Sequence, residues 1–393
     1  MSVAGVRRKV GQHCAPGLVT ATGFSLIELL ISMAMALTLA NSVLQIYLSG
    51  AVLERNQEAR ARMQENGRLA IHLLSQELRL AGTLGCLPEL DLDDVTSTLQ
   101  RVPTTLQPAL GIEGWDAATS NVGLNQSGMA DIPVVSTSTG HWVGPAGNTL
   151  EDTFALPDSD IVRVWYATST GATLAASSGA QVLTLQGSGA PQVAQGDLLL
   201  LSDCMLADWV QVCDAQSGAQ QSIVNATQTS ACAPGNDLAK GVHSRIGSEV
   251  LRLQSNIFYV GKRGDLATNP PALFRRPLNR ALVAGAAEEL VEGVARMQLR
   301  FGVDLDADSL RSVDAYVTAE LVPDWQRVIS VRVNLLVQSL EDHLLPAPQA
   351  YQFDGMLYDG KPGNGTLPPD TRLRQEFTTT VALRARLTEV FPP

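Results

Sequence analysis

A chain of 393 residues with 45% hydrophobic and 17% charged side chains can bury a sizeable core, which excludes wholesale disorder. Lys plus Arg number 28 against 39 Asp plus Glu, a net charge of −11, so no dominant basic face exists to meet a phosphate backbone. Aromatics make up 5%, too few to suggest a base-stacking platform, and no nucleic-acid partner is expected.

The first 23 residues carry Arg7, Arg8 and Lys9 and no acid. Positions 29–53 then hold no charged residue, a stretch long enough to cross a hydrocarbon core of about 30 Å as a helix. The basic flank is expected to stay cytoplasmic, with the rest of the chain on the far side of the inner membrane. Glu28 stands at the head of the apolar run, and a lone carboxylate there is a functional-site candidate. Ala34-Met35-Ala36 has the small-x-small form of a signal-peptidase site, but the apolar run continues through Leu37, Leu39, Val43, Leu44, Ile46 and Leu48. An ordinary signal peptide would have stopped.

Beyond the span, Gly67, Ala70, Ile71, Leu74, Leu78 and Ala81 recur at three- and four-residue spacing, one apolar stripe on an otherwise charged helix. No proline interrupts residues 24–87, and Gly82 and Gly85 are suitable stops. The pattern predicts one helix over 24–82, with 24–53 in the membrane and 54–82 amphipathic. Residues 83–158 read as long loops with short strands. Strands are expected at 161–166, 182–185, 198–201, 209–212, 250–260, 297–303, 328–337 and 377–387, with clear alternation in the last three. The fold class is α+β: a long N-terminal helix packed on a strand-rich head formed by residues 83–393.

Gly23-Phe24-Ser25-Leu26-Ile27-Glu28-Leu29-Leu30-Ile31 resembles the N-terminus of type IV pilins and type II secretion pseudopilins. In the head, Ser202-Asp203-Cys204, residues 289–294, residues 327–333 and residues 377–384 are similar to landmarks of the PilW-type minor pilins. The resemblance implies cleavage by prepilin peptidase after Gly23, removing residues 1–23 as a leader, and N-methylation of Phe24. It also implies that Glu28 pairs with the N-terminal amine of a neighbouring subunit. The implied role is a low-abundance minor pilin that helps initiate pilus assembly and sits at or near the tip. Its implied partners are other minor pilins and the major pilin, with a tip adhesin as a further candidate. Major pilins have a proline midway along the embedded half of the helix; Gln45 stands there instead. The alternatives in the same family are a secretion pseudopilin of the J type and a tip-located adhesion or binding module, with loops at 87–158 and 341–372 as contacts.

Cys14 would leave with the leader. Cys86, Cys204, Cys213 and Cys232 remain, an even number in an oxidising compartment, where disulfides are expected. Of three possible connectivities the favoured one joins Cys86 to Cys204 and Cys213 to Cys232. Asp304, Asp306 and Asp308 at alternate positions, with Asp314 further on, begin like a calcium loop. Ser309 replaces the turn glycine and Ala315 the bidentate Glu, so a solvated acidic turn is preferred and no cofactor is expected. His72, His141, His243 and His343 are scattered without metal spacing, and no nucleophile elbow or phosphate loop occurs. No enzymatic activity is expected.

Overall fold

The computed structural model describes residues 25–86, 95–97, 111–116, 134–135, 142–143, 153–156, 159–178, 182–188, 193–217, 221–225, 235–237, 245–263, 269–277, 287–306 and 312–386. The chain divides into two compact units, Met1–Arg55 and Asn56–Pro393. Helix α1 runs Leu26–Leu80.

Within the second unit, α1 buries Met63, Gly67, Ala70, Leu74, Ser75 and Leu78, which is most of the stripe the spacing predicts, begun one turn earlier, with Ile71 only partly buried. Leu74 and Leu78 are fully buried, each contributing about 1.5–3 kcal/mol of transfer free energy. The helix ends as its glycines dictate. Gly82 adopts φ 75° and donates its N–H to the carbonyl of Trp165 at 2.8 Å, so the terminus hands over directly to the sheet. The backbones of Gly82 and Gly111 approach so closely that a Cβ on Gly111 would stand 2.7 Å from the Cα of Gly82.

The strands follow in chain order. β1 (Val95–Ser97), β2 (Ile112–Trp115), β3 (Val134–Val135), β4 (Trp142–Val143) and β5 (Thr153–Ala155) are short. β6 (Ile161–Ser178), β7 (Val182–Gln186), β8 (Leu198–Ser202), β9 (Ala207–Gln211), β10 (Asp214–Ser217) and β11 (Gln221–Asn225) come next. Then follow β12 (Glu249–Arg263), β13 (Ala272–Pro277), β14 (Glu288–Glu292), β15 (Val294–Val303), β16 (Ala315–Val317) and β17 (Val328–Gln338). β18 (Tyr351–Phe353), β19 (Met356–Tyr358) and β20 (Arg374–Ala382) complete the chain.

Among the described residues, twelve strands form a large sheet with main order β1-β9-β8-β12-β6-β7-β11-β10. Its hub is β12, which pairs with β6, β8, β13 and β5 along its 15 residues. A second sheet has the order β16-β15-β17-β20, all antiparallel. The alternation expected in β15 holds: Met297, Leu299, Phe301 and Val303 are buried, while Gln298 and Arg300 stand on the other face. One core cluster gathers both sheets onto the helix. It joins Leu74 and Leu78 of α1 to Val162 and Val164 of β6, Phe258 of β12, this β15 row, and Val331, Val333, Leu335 and Val337 of β17.

Two expectations change most in extent. The strand expected at 161–166 runs on to Ser178, because β12 and β7 continue to pair it. The strand expected at 377–387 begins at Arg374 and stops at Ala382, where Leu383 donates its N–H to the carbonyl of Ile329 and a 3-10 turn, Arg384–Arg386, follows.

Side chains carry the join between the sheets. Met297 N–H donates to Ser159 Oγ at 3.0 Å and Leu299 N–H to the Asp160 carboxylate at 2.7 Å, while Asp160 N–H returns a bond to the Met297 carbonyl at 2.8 Å. These groups satisfy the edge of β15 that would otherwise be bare beyond short β16.

Candidate functional site: an exposed apolar helix and a braced head

Every residue from Ser25 to Gly50 of the first unit is exposed, including Leu26 at 77%, Ile46 at 73% and Tyr47 at 72%. An apolar surface of that length has no place in water. The helix is long and apolar enough to cross a membrane. Its hydroxyls suit an apolar medium, because Ser32, Thr38, Ser42 and Ser49 bond back to the carbonyls of Leu29, Met35, Thr38 and Gln45 at 2.7–2.9 Å. Glu28 lies in the first turn, where a carboxylate complements the positive end of the helix dipole. Gly23 and Phe24 lie outside the described residues.

In the head, a disulfide joins Cys86 to Cys204 with Cα atoms 5.1 Å apart, tying the chain just past α1 to the turn after β8. That turn is preorganised by Asp203, whose carboxylate accepts the N–H groups of Leu206 at 2.8 Å and Met205 at 3.0 Å. These bonds, the Leu206 one foremost, hold the Asp203 carboxyl below its ordinary range. Cys204 adopts φ 68°. Cys213 is also disulfide-bonded, and Cys232, its expected partner, lies outside the described residues.

The acidic loop after β15 brings carboxylate oxygens of Asp304, Asp306 and Asp314 within 4.8 Å of one another; Asp308 lies outside the described residues. Asp314 already accepts the N–H groups of Leu305 at 2.6 Å and Asp306 at 3.1 Å. Arg327 donates to the carbonyls of Leu305 and Asp306. A calcium loop leaves such carbonyls and carboxylates for the ion. Here the guanidinium takes two of the carbonyls and two amides share one oxygen of Asp314, which braces the turn. The Asp304 Oδ1 atom is buried without a hydrogen-bond partner.

Three polar devices have no counterpart in the sequence reading. Glu113 and Arg163, directly paired on β2 and β6, form a buried ion pair at 2.6 Å, with the guanidinium 5.3 Å from the ring centres of both Trp115 and Trp165. Asn256 donates to Glu77 of α1 at 3.0 Å and to Tyr166 at 3.1 Å, and Arg275 reaches the same Glu77 at 3.4 Å. Burial, then the Glu77 charge, pushes the Tyr166 hydroxyl up, keeping it neutral. On the outer face of the second sheet, Asp354 of the β18–β19 hairpin binds Arg300 and Asn334, each at 2.7 Å. Tyr351 and Tyr358 of the hairpin stack with centroids 4.8 Å apart, under Arg374 and Arg296. Each device joins polar residues distant in sequence, and periodicity carries no trace of such pairs.

The described residues thus form one long exposed apolar helix, long enough to cross a membrane, and a strand-rich region of largely antiparallel sheets. The family model described as type IV pilus-assembly protein W matches residues 257–385, from the middle of β12 to the turn after β20. The PilW-type resemblance read in the head is thus supported independently over about a third of the chain, which includes the landmarks at 289–294, 327–333 and 377–384. No curated protein and no solved structure matches the chain.

Proposed function

We propose that this chain is a minor pilin of type IV pilus assembly. Prepilin peptidase cuts it after Gly23 and Phe24 is N-methylated. Loss of three basic residues and no acid leaves 25 basic against 39 acidic side chains, a net charge of −14. Residues 24–53 hold the subunit in the inner membrane with the head in the periplasm, and then pack with the helices of other pilins as the filament is drawn out. Glu28 gives register by neutralising the terminal amine of a neighbour, since an unpaired charge in that setting is costly. The large head sits at or near the filament tip, where it need not repeat. The subunit acts by assembly and not by catalysis.

One observation carries this reading: a helix exposed and apolar over residues 29–50, with its single carboxylate in the first turn, leads into a head that matches the pilus-assembly family. Mass spectrometry of the mature protein from membranes of cells carrying prepilin peptidase tests it. An N-methylated Phe24 terminus is expected. A terminus at Leu37 would indicate ordinary secretion and remove Glu28 with the signal.

A further inference from the structure

The second sheet protects one edge and, among the described residues, leaves the other without a paired strand. At the β15 edge, Ser159 and Asp160 occupy the N–H groups of Met297 and Leu299. At the opposite edge lies β20, nine residues long and paired with β17 in unbroken register from Ser330↔Ala382 to Gln338↔Arg374. Two bonds fix which of its backbone groups are free. Ser339 donates to the Leu373 carbonyl and Leu383 to the Ile329 carbonyl, so odd-numbered residues turn their backbone toward β17. Glu376, Thr378, Thr380 and Ala382 therefore turn theirs outward. Thr378, Thr380 and Ala382 are exposed, and their outward groups have no hydrogen-bond partner among the described residues.

Edge strands are ordinarily guarded by proline, lysine, a bulge or a covering element. From Gln375 to Ala382 this one has neither proline nor lysine, and its register has no bulge. Its one charge, Glu376, is occupied with the N–H of Asp354 at 2.8 Å. The face beside this edge also has an unmet charge. Arg332 pairs with Thr380 in the ladder and stands directly opposite Arg300, a like-charge pair. Arg300 has Asp354, whereas Arg332 has the Tyr316 ring at 4.1 Å and no carboxylate among the described residues. Only the small Thr380 separates Arg332 from the position of a further strand, about 4.8 Å beyond β20.

We propose that β20 is a strand-addition site for an extended peptide segment that places a carboxylate beside Thr380, where Arg332 neutralises it. Backbone bonds to Glu376, Thr378, Thr380 and Ala382 supply affinity, and the Arg332 charge selects an acidic segment. The site lies wholly within the head and does not require the pilin reading.

The test uses the full chain in detergent micelles and an acetylated, amidated heptapeptide, Thr-Val-Thr-Asp-Thr-Val-Thr. Amide hydrogen exchange reads the amides of residues 376, 378 and 380, and titration reads affinity. The peptide is expected to protect these amides and to bind at least tenfold tighter than its Asn analogue. Arg332→Gln should erase that tenfold difference. Thr378→Pro removes an outward N–H and leaves the β17 ladder intact, so it should abolish binding. A backbone N-methylated peptide should fail on the unaltered protein, which keeps the test valid should the proline variant misfold. Absence of binding, equal affinity for the Asn peptide, or binding unaffected by N-methylation would overturn the proposal. So would amides already protected in the free chain, including concentration-dependent protection, which would assign the edge to a second copy.

Discussion

The ring of Phe377, on β20, lies against Gly67 of α1: a Cβ added to Gly67 would stand 2.4 Å from the nearest ring carbons. A mid-helix glycine costs about 1 kcal/mol relative to alanine, so its presence here exchanges helix propensity for contact. Gly67→Ala recovers that propensity but overpacks the contact, at about 1–3 kcal/mol. The full chain in detergent should show a lower melting temperature for Gly67→Ala, and Phe377→Leu in the same chain should restore much of the loss. A rise in melting temperature for the single variant would show that the ring moves aside freely.

The Cys86–Cys204 bond spans a sequence separation of 118 residues and fixes the end of the helix to β8. Long closed loops constrain the unfolded chain most, and loss of such a bond costs about 2–4 kcal/mol. Cys86→Ser and Cys204→Ser should each lower the melting temperature by a similar amount, and the double variant should lower it no further. Additive losses would mean that the two cysteines stabilise separately.

Arg163 and Glu113 are 7% and 2% exposed as side chains. Removing one partner strands the other charge in the core, at about 3–5 kcal/mol. Arg163→Met should therefore destabilise strongly, whereas Arg163→Met with Glu113→Leu should recover most of the loss in a thermal-unfolding comparison. A double variant worse than the single would show that the indoles around Arg163 depend on its charge.

Asp342 accepts the N–H of Thr371 at 2.9 Å, the N–H of His343 at 2.7 Å and the Thr371 hydroxyl at 3.0 Å. These bonds, the Thr371 amide foremost, lower its carboxyl to about 2. A lowered folded-state value stabilises fully above the unfolded value of about 3.9 and is lost as pH falls through about 2. The Thr371 amide should thus gain exchange rate as pH drops from about 4 to 2, beyond the intrinsic change, and Asp342→Asn should flatten that response. An unchanged profile in the variant would remove Asp342 as the titrating group.

Glu28 offers the test most closely tied to assembly. Glu28→Ala should leave the protein membrane-inserted, because the apolar helix itself is untouched, and should impair its co-purification with partner pilins. Unchanged co-purification would sink the amine-pairing idea.

The elements legible in the sequence are those whose burial repeats at a fixed period. The stripe Gly67, Ala70, Leu74 and Leu78 and the row Met297, Leu299, Phe301 and Val303 could be read directly, because helix and strand geometry put them on one face. The hub role of β12 was not legible: nothing local in residues 249–263 says that four strands pair with it. The Ser159–Asp160 clamp was equally silent, since two polar residues before a strand look like any turn. At the acidic loop the carboxylate spacing was visible, but the guanidinium that binds the loop's backbone carbonyls comes from Arg327, 21 residues beyond Asp306. Spacing alone does not reveal a brace supplied from so far along the chain.

The hydroxyls of Ser32, Thr38, Ser42 and Ser49 draw their bonds from their own helix. Moving this helix from one apolar surrounding to another breaks none of those bonds, so lipid and protein neighbours are nearly interchangeable along most of its length. On the proposed reading, what distinguishes one destination from another is concentrated at Glu28, the one charged side chain of the stretch. A single acid–base contact can therefore decide where a helix of this length comes to rest, while the remainder of its surface stays indifferent and free to slide.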